Sequence, residues 1–246
     1  MMSAAEHVVT SLVRPVALRP GVEYIHTSGL SVGFEGHPVC SSVDLKVGPG
    51  EALFVVGANG AGKSTLLRTC LGLQPAISGS SLVMGEVADP RSSLQRSCVA
   101  RDLGDEAFFP SLSVREHLEL VSYGHGVKNA RSIVESVMEE MGLLAVADSV
   151  PDRLSSGQRR RLSLSSVLVR PRSILVLDEP EQRLDAATRK ALAGYLNAER
   201  EAGGALLVVS HDPVLVEASA SAVLVVGSET MIYDVGAGVL ALKEGT

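Results

Sequence analysis

A chain of 246 residues, 46% of them hydrophobic, is long enough for one large domain or for a core with an inserted subdomain, and it can fill a substantial interior. Twenty-two basic against 28 acidic residues leave a formal charge of -6, which argues against a broad nucleic-acid or anionic-membrane footprint, so no nucleic-acid partner is expected. Cys40, Cys70 and Cys98 are odd in number and widely spaced, which argues against a disulfide framework or a zinc site and fits a reducing cytoplasm.

The start, MMSAAEHVVTSLVRPVALRP, lacks the basic opening and uninterrupted apolar stretch of a secretion signal, and residues 1–20 read as a loosely held tail ahead of a domain spanning 21–246. No apolar run reaches the length that spans a bilayer, so membrane contact is expected through another protein. From about Val22 to Val47, Tyr24, Ile25, Val32, Phe34, Val39, Val43, Leu45 and Val47 alternate with glycines and polar residues, the pattern of short antiparallel strands. ALFVV (52–56) follows, then GANGAGKST (57–65) and the helical LLRTCLGL. Between Arg101 and Arg153 the periodicity turns helical. Ser113 stands three residues before Glu116, a capping box, and Val114, Leu118 and Val121 share one face. A second stripe, Ile133, Val134, Val137, Met138 and Met141, ends at Gly142. SILVL (173–177) and ALLVV (205–209) then repeat the continuous apolar character of ALFVV, as expected of buried parallel strands. The fold class is therefore α/β, with an N-terminal antiparallel β subdomain and a helical subdomain inserted at about 102–153.

The strand, loop and helix around GANGAGKST are the context of a Walker A loop. Glycines 57, 60 and 62, with Asn59 among them, let backbone N–H groups converge on phosphate oxygens at a helix N-terminus. Lys63 can reach the β- and γ-phosphates, Ser64 offers a hydroxyl to Mg²⁺, and Thr65 lies near the α-phosphate of a bound nucleotide. SILVLDE carries Asp178 to the carboxyl edge of the sheet, where it can hold the magnesium through water, and Glu179 can orient and polarise an attacking water. His211 ends ALLVVS, from where an imidazole can donate to the γ-phosphate or the water. His7, His26, His37, His117 and His125 have no such company. Together these motifs describe a P-loop NTPase core.

LSSGQ (154–158), just ahead of the Asp178-Glu179 strand, closely matches the LSGGQ signature loop of ATP-binding cassette proteins. With the motifs in this order, residues 22 to about 230 resemble an ATP-binding cassette ATPase, a subunit of ABC transporters. The resemblance implies that Phe34 stacks on adenine, that Asp185 in EPEQRLD bridges subunits, and that His211 in VVSHD is the switch histidine. It implies a head-to-tail pair of cassettes, identical or not, in which Ser155, Gly157 and Gln158 face the partner's γ-phosphate. It further implies MgATP hydrolysis driving transport, with an outward direction suggested by single-cassette systems, through separate integral membrane permease subunits, at the inner face of the cell membrane. A soluble non-transport cassette ATPase or regulatory nucleotide-binding module is the alternative. The residues themselves also allow LSSGQ to be a helix cap, with Arg159, Arg160 and Arg161 on a solvated face, which is the preferred reading of the arginine run.

Three positions depart from the family pattern. Ser156 replaces a glycine, adding a Cβ that is strained if the position needs φ > 0. Gly104 stands where the family has a magnesium-sensing glutamine, with Asp102, Asp105 and Glu106 nearby and Asp105 the candidate substitute. Glu181 stands where the family has a small hydroxyl residue.

Overall fold

The computed structural model describes residues 22–245 apart from Glu106, together with Glu6, Val8, Val9, Leu12 and Val13. The alternating N-terminal segment becomes β1 (Ile25–Ser31), the small hairpin β2 (Gly33–Phe34) and β3 (His37–Pro38), and β4 (Val43–Val47). In β4 the odd positions Val43, Leu45 and Val47 are buried while Asp44 and Lys46 are exposed, the period-two signature of a sheet wet on one face. ALFVV becomes β5 (Ala52–Val56), leading into α1 (Lys63–Cys70). Then come β6 (Ser78–Val83), β7 (Glu86–Val87), α2 (Ser93–Cys98) and β8 (Val99–Asp102). β1 pairs antiparallel with both β4 and β6, giving a four-stranded sheet of order β4-β1-β6-β7.

The helical stretch forms α3 (Val114–Gly124) and α4 (Ala130–Glu140). The capping box is present: the Glu116 N–H donates to Ser113 Oγ at 3.3 Å, and the Ser113 N–H donates to Glu116 Oε2 at 2.8 Å. Next are α5 (Ser156–Leu168), β9 (Ile174–Asp178), α6 (Ala186–Glu201), β10 (Ala205–Val209), α7 (Pro213–Ser219), β11 (Ala222–Val225), β12 (Met231–Tyr233) and α8 (Val235–Glu244). The second sheet runs β12-β11-β5-β10-β9-β8, parallel except for β12.

Both faces of this sheet are covered, which is why its strands read as unbroken apolar runs. Phe54, Leu177 and Val208 pack into one core with α3 to α6, whereas Val55, Val176 and Leu207 pack into the other with α1 and the antiparallel sheet. Each such side chain contributes on the order of 1.5–3 kcal/mol by leaving water. Register then sets the functional edge. Val209 pairs with Val55 on one side and with Asp178 on the other, so the carboxyl ends of β5, β9 and β10 finish level.

The N-terminal stretch departs from its expectation as a loose tail. Val8, Val9, Leu12 and Val13 are buried, and the Arg172 N–H donates to the Leu12 carbonyl at 3.1 Å. Apart from Glu6, the other residues of that stretch lie outside the described residues.

Candidate functional site

Beyond β5 the backbone is bent by glycines for steric reasons. Gly57 has φ 146°, and a Cβ there would stand 2.4 Å from the Val226 carbonyl oxygen; at Gly62, φ 94°, it would stand 2.4 Å from Val39 Cγ2. The turn delivers Lys63 to the start of α1, where its buried Nζ donates to the carbonyls of Gly57 (2.9 Å) and Ala58 (2.8 Å). Burial pulls the ammonium pKa down, and the carboxylates of Glu179 and then Asp178 oppose that shift.

Asp178 ends β9 and is hydrogen-bonded with Ser64. Burial raises its carboxyl pKa, the Ser64 hydrogen bond works the other way, and the neighbouring Glu179 charge adds to the rise. Its Oδ1 is buried without a hydrogen-bond partner. An orphaned carboxylate oxygen beside a serine hydroxyl is the donor set that a hard divalent cation takes when substrate phosphates and water complete its shell, so the residues fit Mg²⁺.

Glu179 occupies the left-handed region at φ 45°, uncommon for a side chain with a Cβ. Its N–H donates to the Val209 carbonyl at 2.9 Å, which anchors it to the end of β10. His211 Nε2 lies 3.2 Å from Glu179 Oε1, within ion-pair range but turned away from hydrogen-bond alignment. Gln182 Nε2 donates to the other oxygen, Oε2. The departure at Glu181 has a structural use: its Oε1 accepts from the His211 N–H (2.7 Å) and from Ser210 Oγ (2.8 Å), tying the loop after β9 to the loop after β10.

The arginine run is not the solvated face expected of it. Arg160 is buried, with Nη1 donating to Asp102 Oδ2 at 2.9 Å and Nη2 donating to the carbonyls of Asp178 and Glu179 at 3.1 Å each. α5 lies against β8, which turns the middle arginine inward while Arg159 and Arg161 stay part-exposed. Spacing along an isolated helix does not reveal this, because burial here depends on a neighbouring strand.

Phe34, on the β2 hairpin, is 58% exposed and lines one cleft together with Asn59, Gly60, Gly62, Lys63, Ser64 and Thr65. Val39 is there too, an apolar neighbour that sequence reasoning missed. A second cleft joins Ser64, Asp178 and Glu179 to Gly104, Arg160 and Gln182. Ser155, Gly157 and Gln158 line neither cleft.

Ser155 instead caps α5, its Oγ accepting from the Gln158 N–H (3.3 Å) while its own N–H donates to Gln158 Oε1 (2.9 Å). Ser155 remains exposed, so capping leaves the loop open to the outside. Ser156 begins the helix and is absent from the positive-φ residues, so its Cβ carries no backbone strain. Gly157 is the tight position, since a Cβ there would meet the Arg183 carbonyl oxygen at 3.0 Å. Asp185 caps α6, accepting from the Thr188 N–H (2.8 Å) and Oγ1 (2.9 Å), and these bonds lower its carboxyl pKa. Asp105, the candidate substitute for the glutamine, is engaged elsewhere: its Oδ2 pairs with Arg68 Nη2 at 2.8 Å, and it does not line the cleft that Gly104 lines.

The family model described as ABC transporter matches residues 40–182. The chain belongs to the ABC transporter family. The cytochrome c biogenesis ATP-binding export protein CcmA of Rhodobacter capsulatus is 37% identical to this ABC ATPase, over 74% of this chain and 78% of that protein. The aliphatic sulfonates import ATP-binding protein SsuB of Cupriavidus necator is 36% identical, over 76% and 61% respectively. One relative is thus named for export and another for import at nearly equal identity. Among solved structures, an ATP-binding subunit of an ABC transporter aligns with a TM-score of 0.77 at 23% identity, covering 86% of this chain and 90% of that one. The dimeric post-hydrolysis state of the ATP-binding cassette MJ0796, bound to ADP and Pi, aligns at 0.74 and 19% identity, covering 86% and 98%. The α/β expectation is met by these alignments.

Proposed function

We propose that this ABC ATPase hydrolyses MgATP in composite sites, each formed by the Walker A loop of one chain and the LSSGQ loop of a second cassette subunit packed head to tail. The observation that carries the reading is the division of the motifs. Lys63, Asp178, Glu179 and His211 gather at the level carboxyl ends of β5, β9 and β10, whereas Ser155 stands exposed at the start of α5 and lines neither of their clefts.

Phe34 takes the adenine face, and the N–H groups from Gly57 to Thr65 with Lys63 take the phosphates. Ser64 and Asp178 hold magnesium, which when bound neutralises charge on the phosphate oxygens. Glu179 accepts hydrogen bonds from the attacking water. As the water oxygen bonds to the γ-phosphorus, the bond from that phosphorus to the bridging oxygen of ADP breaks and the water proton passes to Glu179. His211 donates toward the γ-phosphate, and its backbone is held in place by Glu181. Ser155, Gly157 and Gln158 supply donors to the partner's nucleotide, and Asp185 meets the partner subunit.

Hydrolysis drives transport through separate permease subunits, with the ATPase on the cytoplasmic face of the membrane. Support comes from relatives named as ATP-binding proteins of export and import systems, and no described helix is long and apolar enough to cross a membrane. We assign export, in line with the CcmA relatives, which are named as export proteins.

The test is Glu179→Gln. Affinity for MgATP should stay at the parental level while turnover falls by roughly 10²–10⁴-fold, the usual worth of a positioned base. A dimer dependent on MgATP should accumulate on size exclusion. Undiminished hydrolysis by this variant overturns the reading.

A further inference from the structure

Gln182 sits in the loop after β9, in a position for which neither the motif pattern nor the relatives' names supply a role. Its carboxamide Nε2 donates to Glu179 Oε2, the oxygen opposite the one that His211 Nε2 approaches at 3.2 Å. Among the described residues it is the only carboxamide side chain lining the cleft that also contains Ser64 and Asp178, and Gly104, which lines the same cleft, contributes backbone alone. The main chain of Glu179 is already fixed, by its left-handed φ, by the N–H bond to Val209 and by the Arg160 guanidinium on its carbonyl. Nothing in those contacts fixes its three side-chain torsions. A carboxylate free to rotate presents its oxygens to the attacking water only part of the time, and restraining it lowers the entropic cost of reaching the reactive arrangement.

We propose that Gln182 is a positioning residue for Glu179: its amide holds Oε2, so that the carboxylate keeps one orientation towards the attacking water. The inference rests on the reading of Glu179 as the water-activating carboxylate. An amide suits the task because it donates a hydrogen bond without adding charge beside the metal-holding Asp178 and the phosphate-binding Lys63. A carboxylate at position 182 would repel Glu179, and an aliphatic side chain would leave it unrestrained.

Gln182 is exposed, so its replacement does not disturb the core and the variants should fold with parental thermal stability. In Gln182→Met, kcat should drop about tenfold, the order expected for one hydrogen bond to a charged group, while KM for ATP stays within about twofold. Gln182→Glu should lose more. In a Glu179→Gln background, single-turnover hydrolysis of labelled ATP should show no further loss on adding Gln182→Met, because the two residues act as one unit. Parental kcat in Gln182→Met, an equal fractional loss in both backgrounds, or a raised KM with unchanged kcat would each overturn the proposal while leaving Glu179 in its role. Full activity of Glu179→Gln would instead remove the base itself, and this inference with it.

Discussion

Arg160 and Asp102 form a buried ion pair, 2.9 Å from Nη1 to Oδ2, with side chains 6% and 2% exposed. The same guanidinium holds the carbonyls of Asp178 and Glu179. The helix that starts at the LSSGQ loop is thereby fastened both to the end of β8 and to the strand end that carries the acidic pair.

Arg160→Met should strand the Asp102 carboxylate in the interior without a counter-charge and lower the unfolding free energy by about 3–5 kcal/mol. Adding Asp102→Asn should recover part of the loss, since the buried charge is then gone. Urea denaturation followed by circular dichroism measures both. A single variant within about 0.5 kcal/mol of the parent, the range of ordinary surface changes, would contradict the pairing.

Asp105→Ala should keep ATP turnover within about twofold of the parent. The carboxylate is 72% exposed and is engaged with Arg68, and an exposed pair of this kind contributes about 0–1 kcal/mol. A steady-state ATPase assay, with and without added membrane partner, checks this. A tenfold loss would place Asp105 in the chemistry and contradict its assignment to a surface pair.

His117 gives the fold a pH-sensitive joint. The ring packs against Phe108 (centroids 5.7 Å apart) and Phe109 (5.6 Å), and Nε2 lies 3.1 Å from Ser166 Oγ on α5. Burial pushes its pKa below the usual imidazole value. The unfolded imidazole gains its proton near the ordinary value of about 6.5, while the folded one resists. Stability is therefore full above that pH and is lost as pH falls from there through the folded value. His125 shifts the same way, with burial the leading cause, so His117→Gln should flatten the slope in part. Melting temperatures at pH 7.5 and 5.5 provide the comparison. An undiminished slope in the variant would show that His117 does not contribute.

How much of this was legible in the sequence depends on where each feature's cause lies. ALFVV, SILVL and ALLVV are readable as buried parallel strands because a sheet covered on both faces must be apolar throughout. The Ser113-Glu116 cap is readable because its cause is local. β6, with the sequence SGSSLV, escaped notice because only Leu82 and Val83 near its end are apolar, and its pairing with β1 comes from the other strand. Arg160 looks like surface for a similar reason, since β8 lies 58 residues away from it through Asp102. Asp178, Glu179 and His211 come together because β9 and β10 pair in register, a relation their motifs signal, but Gln182 carries no signal beyond its place three residues after Glu179. Its meaning depends on a loop that curls back onto the carboxylate.

The most direct test of the composite site uses two defective chains. Lys63→Ala removes the phosphate cation, and Ser155→Arg blocks the signature loop, so each homodimer should be inactive. Mixing them after denaturation and refolding gives dimers, verified by crosslinking of differently tagged chains, in which one site combines both defects and the other has Lys63 and Ser155 intact. The account predicts that the equimolar mixture recovers ATPase activity, to about a quarter of the parental value if half the dimers are mixed and each has one working site of two. Crosslinked mixed dimers without activity would contradict it, because a site completed within one chain gains nothing from a partner.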